Sequence, residues 1–338
     1  MERKKMLSSV DPALMWEYTQ FLSVLKKEAG AHESVIGESE QGRPIYGFEL
    51  GHGPITISLV AGAHADEPVG PNTLYRLILS LLQNRQAFDG LLSRFRFLVI
   101  PHVNPDGDAA NASWIRHWPD PERFFSLVER ELPGRDIEFG YPDMRVENRA
   151  ASEFWWKSGP ADIHVSLHGM AVSEGFLLLV NDAWESKTRD WRNRFRSEME
   201  QQGLMPHDHD RAGDKGFNYM GPGFSSTPKG SAMRQFFLQK EDTETAAMFR
   251  DSSMEFHLGL NPSVFCLVTE FPLFLLPHSG NDGIPKNYQL FREVWKTGGS
   301  IAEGRFDVRP MALEKAMDLQ LYTVLSAATF VEEFFADA

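Results

Sequence analysis

Short apolar runs rich in β-branched residues alternate along the chain with longer segments of helical periodicity, and this alternation leaves few folds open. The clearest runs lie at 55–63, 161–169 and 262–272. Apolar runs of this length are typical of strands that are buried on both faces of a sheet. The sequence therefore predicts an α/β protein with a mixed, mostly parallel central sheet flanked by helices on both faces.

The remaining elements fit around that sheet. A hairpin is predicted with its turn at Gln41–Pro44, and residues 204–231 read as a long loop rich in glycine and proline. Predicted helices lie at 11–28, from Pro68 to about Leu82, at 147–157, at 183–203 and at 311–336. Because no composition shift marks a boundary, a single domain over 1–338 is predicted, with an N-terminal helical extension (1–34), a motif-bearing core (35–275) and a C-terminal helix (311–336).

Composition narrows the class of protein. The 34 lysines and arginines against 47 acidic residues give a net charge of −13. This charge argues against nucleic acid and against an anionic membrane as partners. A single cysteine cannot form an internal disulfide, and the most apolar run is too short to span a bilayer. We therefore expect a soluble, cytoplasmic protein whose oligomeric state the sequence does not give.

Polar residues follow two of the predicted buried strands. His64 and Glu67 come after the run 55–63, and His168 ends the run 161–169. Ligands in open α/β sheets bind outside the carboxyl ends of strands, and a catalytic zinc ion takes three protein ligands with one open position. His64, Glu67 and His168 are thus predicted to bind one Zn²⁺, whereas His164 lies further back in its strand and is predicted to pack inside the fold.

Glu270 stands in the apolar run VFCLVTEFP, where an unpaired carboxylate is costly. A structural ion pair is one interpretation, and a general base that takes a proton from a metal-activated water is the other. The cluster His207–Asp210 has the composition of a metal site, but its position in a polar, glycine-rich segment favours a solvated loop.

Five segments together resemble the zinc carboxypeptidases of the carboxypeptidase A type, over about Val35 to Pro272. In chain order they are IGESEQGRPIYGFELG, AGAHADEPVG, VIPHVNPDG, SLHG and VTEFP. The resemblance implies that His64, Glu67 and His168 are the zinc ligands and that Glu270 is the general base. It also implies an arginine that polarises the scissile carbonyl, for which Arg116 is the nearest counterpart.

One segment departs from the family. The resemblance implies an Asn-Arg pair that binds the terminal carboxylate of a peptide, but the matching segment of this chain carries Glu138 and Phe139. An acidic and an aromatic side chain cannot bind a carboxylate in bidentate fashion. Arg145 or Arg149 could supply a cation from a shifted position, and Glu138 could accept an amine or amide. Tyr219 is a candidate for the family's substrate-contacting tyrosine.

The predicted activity is a zinc-dependent, carboxypeptidase-like hydrolysis of a peptide or amide bond, with a peptide or acylated amino acid as substrate. Two alternatives remain open on the same scaffold. One is an N-acyl amino acid deacylase or a cell-wall peptide amidase, and the other is a catalytically inactive zinc-binding relative. The ligand set would also hold other divalent ions.

Overall fold

A ten-stranded mixed sheet runs through the middle of the computed structural model, which describes residues 13–27, 33–297 and 306–336. The strand order is β1-β2-β4-β3-β5-β9-β6-β8-β7, and β10 pairs with β9. The strands are β1 (Glu33–Glu38), β2 (Pro44–Gly51), β3 (Ile55–Ala61), β4 (Phe95–Ile100), β5 (Ile163–Ser173), β6 (Leu177–Val180), β7 (Tyr219–Gly221), β8 (Phe224–Ser226), β9 (Phe265–Leu275) and β10 (Arg309–Pro310).

The parallel part of the sheet carries the predicted site. Strands β4, β3, β5 and β9 are neighbours and run parallel. The last residue of β3, Ala61, pairs with Leu167 in the middle of β5, and β5 and β9 continue together past that point. Every residue of β3 is buried, as its apolar run predicts. In the register of β5 and β9, His168 pairs with Glu270. Two residues more than a hundred positions apart are thereby placed side by side.

Helices cover the sheet. They are α1 (Tyr18–Leu25), α2 (Val69–Gln83), α3 (Asp89–Leu92), α4 (Pro105–Ile115), α5 (Pro121–Leu127), α6 (Val146–Ser158), α7 (Arg189–Gln201), α8 (Gly230–Leu238), α9 (Thr243–Ala247), α10 (Ser253–Leu260), α11 (Lys286–Lys296) and α12 (Leu313–Ala336). The predicted fold class is confirmed. The domain bounds stay a prediction, and the start of the first predicted helix at Asp11 lies outside the described residues.

The segment 204–231 is more ordered than its composition predicts. It contributes β7 and β8, and the side chain of His207 is completely buried. Asp208 is also buried, where it accepts hydrogen bonds from the Tyr219 hydroxyl at 2.6 Å and from the backbone N–H of Gly283 at 2.8 Å. The solvated interpretation of this cluster is therefore wrong for His207 and Asp208, because the segment packs against the loop that leads into α11.

No helix in the described ranges is both long enough and apolar enough to cross a membrane.

Candidate metal centre

His64, Glu67 and His168 meet just beyond the carboxyl end of β3, beside the middle of β5. The prediction that His168 ends its strand is wrong, because β5 continues to Ser173. Nδ1 of His64 lies 2.8 Å from Oε1 of Glu67, and Nδ1 of His168 lies 2.8 Å from Oε2 of the same carboxylate. The two Nδ1 atoms are 3.0 Å apart. All three donor atoms thus surround one small volume, and they form the one cluster of this kind among the described residues.

Two glycines allow the loops to approach this closely. Gly62, directly after β3, has a φ of +74°, and a side chain there would strike the His102 ring. Gly70, in the first turn of α2, lies against the backbone carbonyl of Leu167, so that even an alanine would not fit. The turn after β3 therefore packs closely against His102, and the start of α2 packs closely against β5 at Leu167, next to His168.

The outer nitrogens of both histidines are held by carboxylates. Nε2 of His168 lies 2.9 Å from Oε2 of Glu138, and Nε2 of His64 lies 3.4 Å from Oδ1 of Asp136. When a metal ion is bound, the imidazole nitrogen that faces the outer carboxylate keeps its proton, and the lone pair of Nδ1 is available to the ion. The arrangement is that of histidine ligands oriented by second carboxylates.

The donor set fits zinc. Two imidazole nitrogens and one carboxylate leave a fourth position open, as in catalytic zinc sites, and ligands about 2.1 Å from a tetrahedral ion are about 3.4 Å apart. The observed separations of 2.8 to 3.0 Å are about 0.5 Å shorter, so a small outward movement of the side chains would admit the ion. His64, Glu67 and His168 are the residues that would hold the ion.

In this cluster, charged neighbours shift the pKa values of the side chains in the direction opposite to burial. Burial lowers the pKa of His168, but Glu67 and the hydrogen bond to Glu138 outweigh burial and raise it to about 9. Burial raises the pKa of Glu67, yet His64, Arg130 and His168 bring it well below its usual range. In the absence of a metal ion, a proton on His168 therefore supplies the positive charge between the carboxylates of Glu67 and Glu138.

Glu270 lies beside the cluster and differs from the other acids. Burial of its carboxyl, followed by the neighbouring charge of Glu67, raises its pKa to about 8. Among the described residues no group donates a hydrogen bond to this carboxylate, so the ion-pair interpretation of Glu270 finds no partner here. A carboxyl with a raised pKa and a free oxygen can exchange a proton with a water.

Arg116 does not lie at this site. Its guanidinium is 63% exposed and pairs with Glu17, with Nε 2.5 Å from Oε1 and Nη2 2.8 Å from Oε2. The cation that does reach the cluster is Arg130, whose Nη1 lies 2.8 Å from Oε1 of Glu67 and 3.1 Å from Oδ1 of Asp66. Arg130 stands between two glutamates in the sequence, a pattern typical of a solvated surface, so no local signal identifies it.

Glu138 and Phe139, which lie in the segment predicted to bind a substrate terminus, make contacts inside the protein instead. Glu138 is buried; besides His168, its carboxylate accepts hydrogen bonds from the N–H and the hydroxyl of Ser253. Phe139 packs edge-on against Phe249 in the core. Glu138 is thus occupied by the protein itself and is not available to a substrate amine or amide.

The other predicted substrate contacts are also placed elsewhere. Arg145 is buried and donates to Glu147 at 2.9 Å and to the backbone carbonyl of Arg135. Arg149 is exposed on α6, and the Tyr219 hydroxyl donates to Asp208. None of the three lines the cleft in front of the cluster.

That cleft has a volume of about 490 Å³. Its lining comprises acids and Arg130 next to the cluster, residues of β5 that follow His168, one face of α11, and Arg211 of the 204–231 segment: Asp66, Glu67, Arg130, Gly169, Met170, Ala171, Val172, Arg211, Glu270, Tyr288, Phe291, Arg292, Trp295 and Lys296. Tyr288 and its neighbours on α11 are cleft residues that were not predicted from the sequence. The spacing of Tyr288, Phe291, Arg292 and Trp295 was the available signal, because it places them on one helix face.

The chain belongs to the zinc carboxypeptidase family, whose sequence model matches residues 18–250. It is 34% identical over 132 residues to carboxypeptidase B of Astacus astacus, which covers 37% of this chain and 43% of the relative. It is 30% identical over 113 residues to the inactive metallocarboxypeptidase ECM14 of Ajellomyces capsulatus, which covers 30% of this chain and 19% of that relative. The matches span less than half the length of these relatives.

Solved structures share the fold at low sequence identity. A metallocarboxypeptidase from Burkholderia cenocepacia matches with a TM-score of 0.52 and 14% identity, over 94% of this chain and 69% of that one. The bovine thrombin-activatable fibrinolysis inhibitor, solved with a tick carboxypeptidase inhibitor, matches with a TM-score of 0.53 and 12% identity, over 97% of this chain and 99% of that one. The family resemblance and the predicted fold are confirmed.

Proposed function

We propose that this protein is a zinc-dependent hydrolase that cleaves a peptide or amide bond. The observation that carries the proposal is the position of Glu270 next to His168 in the register of β9 and β5, with its carboxyl free of hydrogen bonds from the described residues. A general base needs this combination: it lies beside the reacting centre and has a pKa near neutrality.

Each residue has a distinct task in the proposed reaction. His64, Glu67 and His168 hold the ion, and a bound zinc ion would lower the pKa of a water and polarise a carbonyl. Glu270 removes the proton from the attacking water and then delivers it to the departing nitrogen. Arg130 faces the negative charge that develops on the carbonyl oxygen, a role for which the family resemblance had implied Arg116.

The test is the variant Glu270→Gln, which keeps the shape of the side chain but cannot carry a proton. We expect zinc content equal to wild type and a fall in kcat of about 100-fold or more. The matched control is Glu153→Gln, at an exposed position on α6 where Glu153 pairs with Lys157. Full turnover by a zinc-loaded Glu270→Gln protein would remove Glu270 from the mechanism.

A second candidate is a deacylase or amidase on the same scaffold. The observation in its favour is the replacement of the family's Asn-Arg pair by Glu138 and Phe139, both of which are buried in the protein's own contacts. A panel of peptides with free C-termini, N-acyl amino acids and cell-wall peptides separates the two. The highest kcat/KM identifies the substrate class.

A catalytically inactive zinc-binding protein is the third possibility, and an inactive metallocarboxypeptidase is among the relatives. Metal analysis combined with the same panel tests it, because zinc binding without hydrolysis of any substrate would support it. Zinc as the resident metal and a cytoplasmic location stay predictions from the sequence.

A further inference from the structure

Asp66 is a buried acid at the metal centre that is neither a proposed ligand nor the proposed base. It lies between His64 and Glu67 in the turn after β3, it is 5% exposed, and it lines the cleft. Its two carboxylate oxygens lie 3.1 and 3.3 Å from Nη1 of Arg130, and no other side chain of the described residues pairs with them. Because a buried carboxylate is costly without a partner, Arg130 is the group that stabilises Asp66 in this position.

The backbone on both sides of Arg130 is anchored to α4 and to the residue that caps it. The N–H of Glu129 donates to Oδ1 of Asn111 at 3.0 Å, and the Glu129 carbonyl accepts from Nδ2 of the same side chain at 2.9 Å. The carboxylate of Glu131 accepts a hydrogen bond from the side-chain amide of Asn104, the N-cap of α4. These contacts fix where the arginine side chain begins, but they leave the direction of its guanidinium open.

Two carboxylates that share one nitrogen set the direction of this guanidinium. Nη1 of Arg130 lies 2.8 Å from Oε1 of Glu67, in addition to its contacts with both oxygens of Asp66. The side chain of Arg130 is 45% exposed, so it has room to turn toward solvent when these contacts weaken. The position of the guanidinium beside the cluster therefore depends on Asp66 and Glu67 together.

A metal ion would compete with Arg130 for one of these two carboxylates. Oε1 of Glu67, which Arg130 contacts, also lies 2.8 Å from Nδ1 of His64 in the candidate metal centre. An ion bound by the cluster would draw on the charge of Glu67 and would repel the guanidinium, since like charges at close range repel strongly outside bulk water. Asp66 is not a member of the cluster, so its contact with Arg130 would remain.

We propose that Asp66 is a positioning residue that keeps Arg130 beside the metal centre once the centre holds its ion. In the metal-free protein Glu67 and Asp66 both hold the guanidinium, whereas in the metal-loaded protein Asp66 is the contact that retains it. The inference rests on the proposed function, in which Arg130 faces the carbonyl oxygen, and it names the residue on which that role depends.

The test measures how readily Arg130 reacts with phenylglyoxal, a dicarbonyl that modifies guanidinium groups. Reaction rates at individual arginines are read by peptide mass spectrometry in wild type and in Asp66→Asn, each with and without zinc. We expect the two metal-free proteins to react at Arg130 at rates within about twofold, because Glu67 still holds the side chain. At equal zinc content, Asp66→Asn should react roughly fivefold faster than wild type, as expected for the loss of a partly exposed charge pair.

The matched control is Asp307→Asn. Asp307 forms an exposed pair with Arg309, whose Nε lies 2.8 Å from its Oδ1, and neither residue lines the cleft. This substitution should raise the rate at Arg309 equally with and without zinc and should leave the rate at Arg130 unchanged. Asp66→Ser, which has a smaller side chain, carries the same expectation as Asp66→Asn and is used if that variant does not fold.

Kinetics give a second measurement, which depends on the proposed function. If Asp66 acts through Arg130, Asp66→Asn should lower kcat about tenfold at an unchanged KM. The same substitution made in Arg130→Gln should cost less than about twofold in kcat, because the group that Asp66 positions is then missing. Losses that multiply in the double variant would show that Asp66 acts independently of Arg130.

The inference is overturned if wild type and Asp66→Asn react equally at Arg130 with zinc bound, or if Asp66→Asn raises that rate to the same extent with and without zinc. It is also overturned if the losses of kcat multiply. Because the modification needs no turnover, its result decides the inference even in a protein that hydrolyses none of the substrates. Absence of hydrolysis would therefore overturn the proposed function alone.

Discussion

Glu138 and His168 form a buried hydrogen bond of 2.9 Å between Oε2 and Nε2, and this contact fixes which nitrogen of His168 faces the metal centre. The other oxygen of Glu138 accepts from the Ser253 hydroxyl at 2.9 Å, and that hydroxyl lies 3.1 Å from Nε2 of His164. His164 in turn lies 3.0 Å from the Ser58 hydroxyl. The predicted ligand is thus supported by a chain of contacts inside the protein, and His164 is packed within the fold as predicted.

The first prediction concerns Glu138→Gln. The amide would present N–H groups where the carboxylate accepts from Ser253, so the support of His168 is weakened. Loss of such an outer contact typically lowers metal affinity about 10- to 100-fold, and we expect that range here. A chelator competition assay measures it, with Glu153→Gln as control. Unchanged zinc affinity in a folded Glu138→Gln protein would show that the contact does not orient the ligand.

The second prediction compares two arginines. Arg130→Gln removes the cation that contacts Glu67, and we expect kcat to fall about 100- to 1,000-fold, as for the loss of a group that stabilises an oxyanion. Arg116→Gln should leave kcat unchanged, because Arg116 is exposed and bound to Glu17. Steady-state kinetics at equal zinc content decide between them. A larger loss of kcat in Arg116→Gln than in Arg130→Gln would show that Arg116 is the catalytic arginine.

The third prediction concerns protons released on zinc binding. Without metal the pKa of His168 is raised to about 9, chiefly through Glu67 acting against burial, so at neutral pH this imidazole carries a proton that zinc must displace. Zinc affinity should rise about tenfold per pH unit for each proton released, and the contribution of His168 should end near pH 9. Chelator competition across this range measures the slope. A flat profile below pH 8 would contradict a protonated His168.

The fourth prediction concerns stability in acid. Burial lowers the pKa of His257 to about 3, whereas an unfolded histidine titrates near 6.5. The unfolded chain therefore binds a proton that the folded protein does not, and stability present above pH 6.5 is lost as the pH falls toward 3. Each such group contributes about 1.4 kcal/mol per pH unit to the free energy of unfolding in this window.

His257→Gln should reduce that slope by about one proton, or about 1.4 kcal/mol per pH unit. Denaturant unfolding of the metal-free protein between about pH 6 and pH 4 measures the slope, and the exposed residue His52 supplies the control variant His52→Gln. A variant that is less stable but has the wild-type slope would show that His257 is not kept neutral by folding.

The sequence was sufficient to predict the candidate metal cluster because its members depend on the order of local elements. His64 follows the apolar strand β3, and His168 comes directly after the residue of β5 that pairs with the end of β3, so assignment of the two neighbouring apolar runs placed them together. Glu270 followed in the same way from β9. The main strands, several helices and the family could be predicted from the sequence for the same reason.

The groups around the ligands were not predictable in this way. The loop between α5 and α6 carries Arg130, Asp136 and Glu138, and its path is set by contacts to β5 and α10 rather than by its own pattern. Spacing along the chain favoured Arg116 because it follows the Asn-Pro-Asp-Gly turn, but Glu17 of the N-terminal segment holds that guanidinium. The partner of a charged loop residue is set by the fold and cannot be identified from its neighbours in the sequence.

The sequence by itself determined the α/β architecture, the candidate ligand set and the position of Glu270 beside it, since short segments of the chain carry the patterns of burial and periodicity. Only the tertiary structure decided which carboxylates orient the ligands, which arginine reaches the reacting centre and which helix faces the cleft. Those relations join residues that are distant along the chain. They depend on how helices and loops pack on the sheet, which no local pattern encodes.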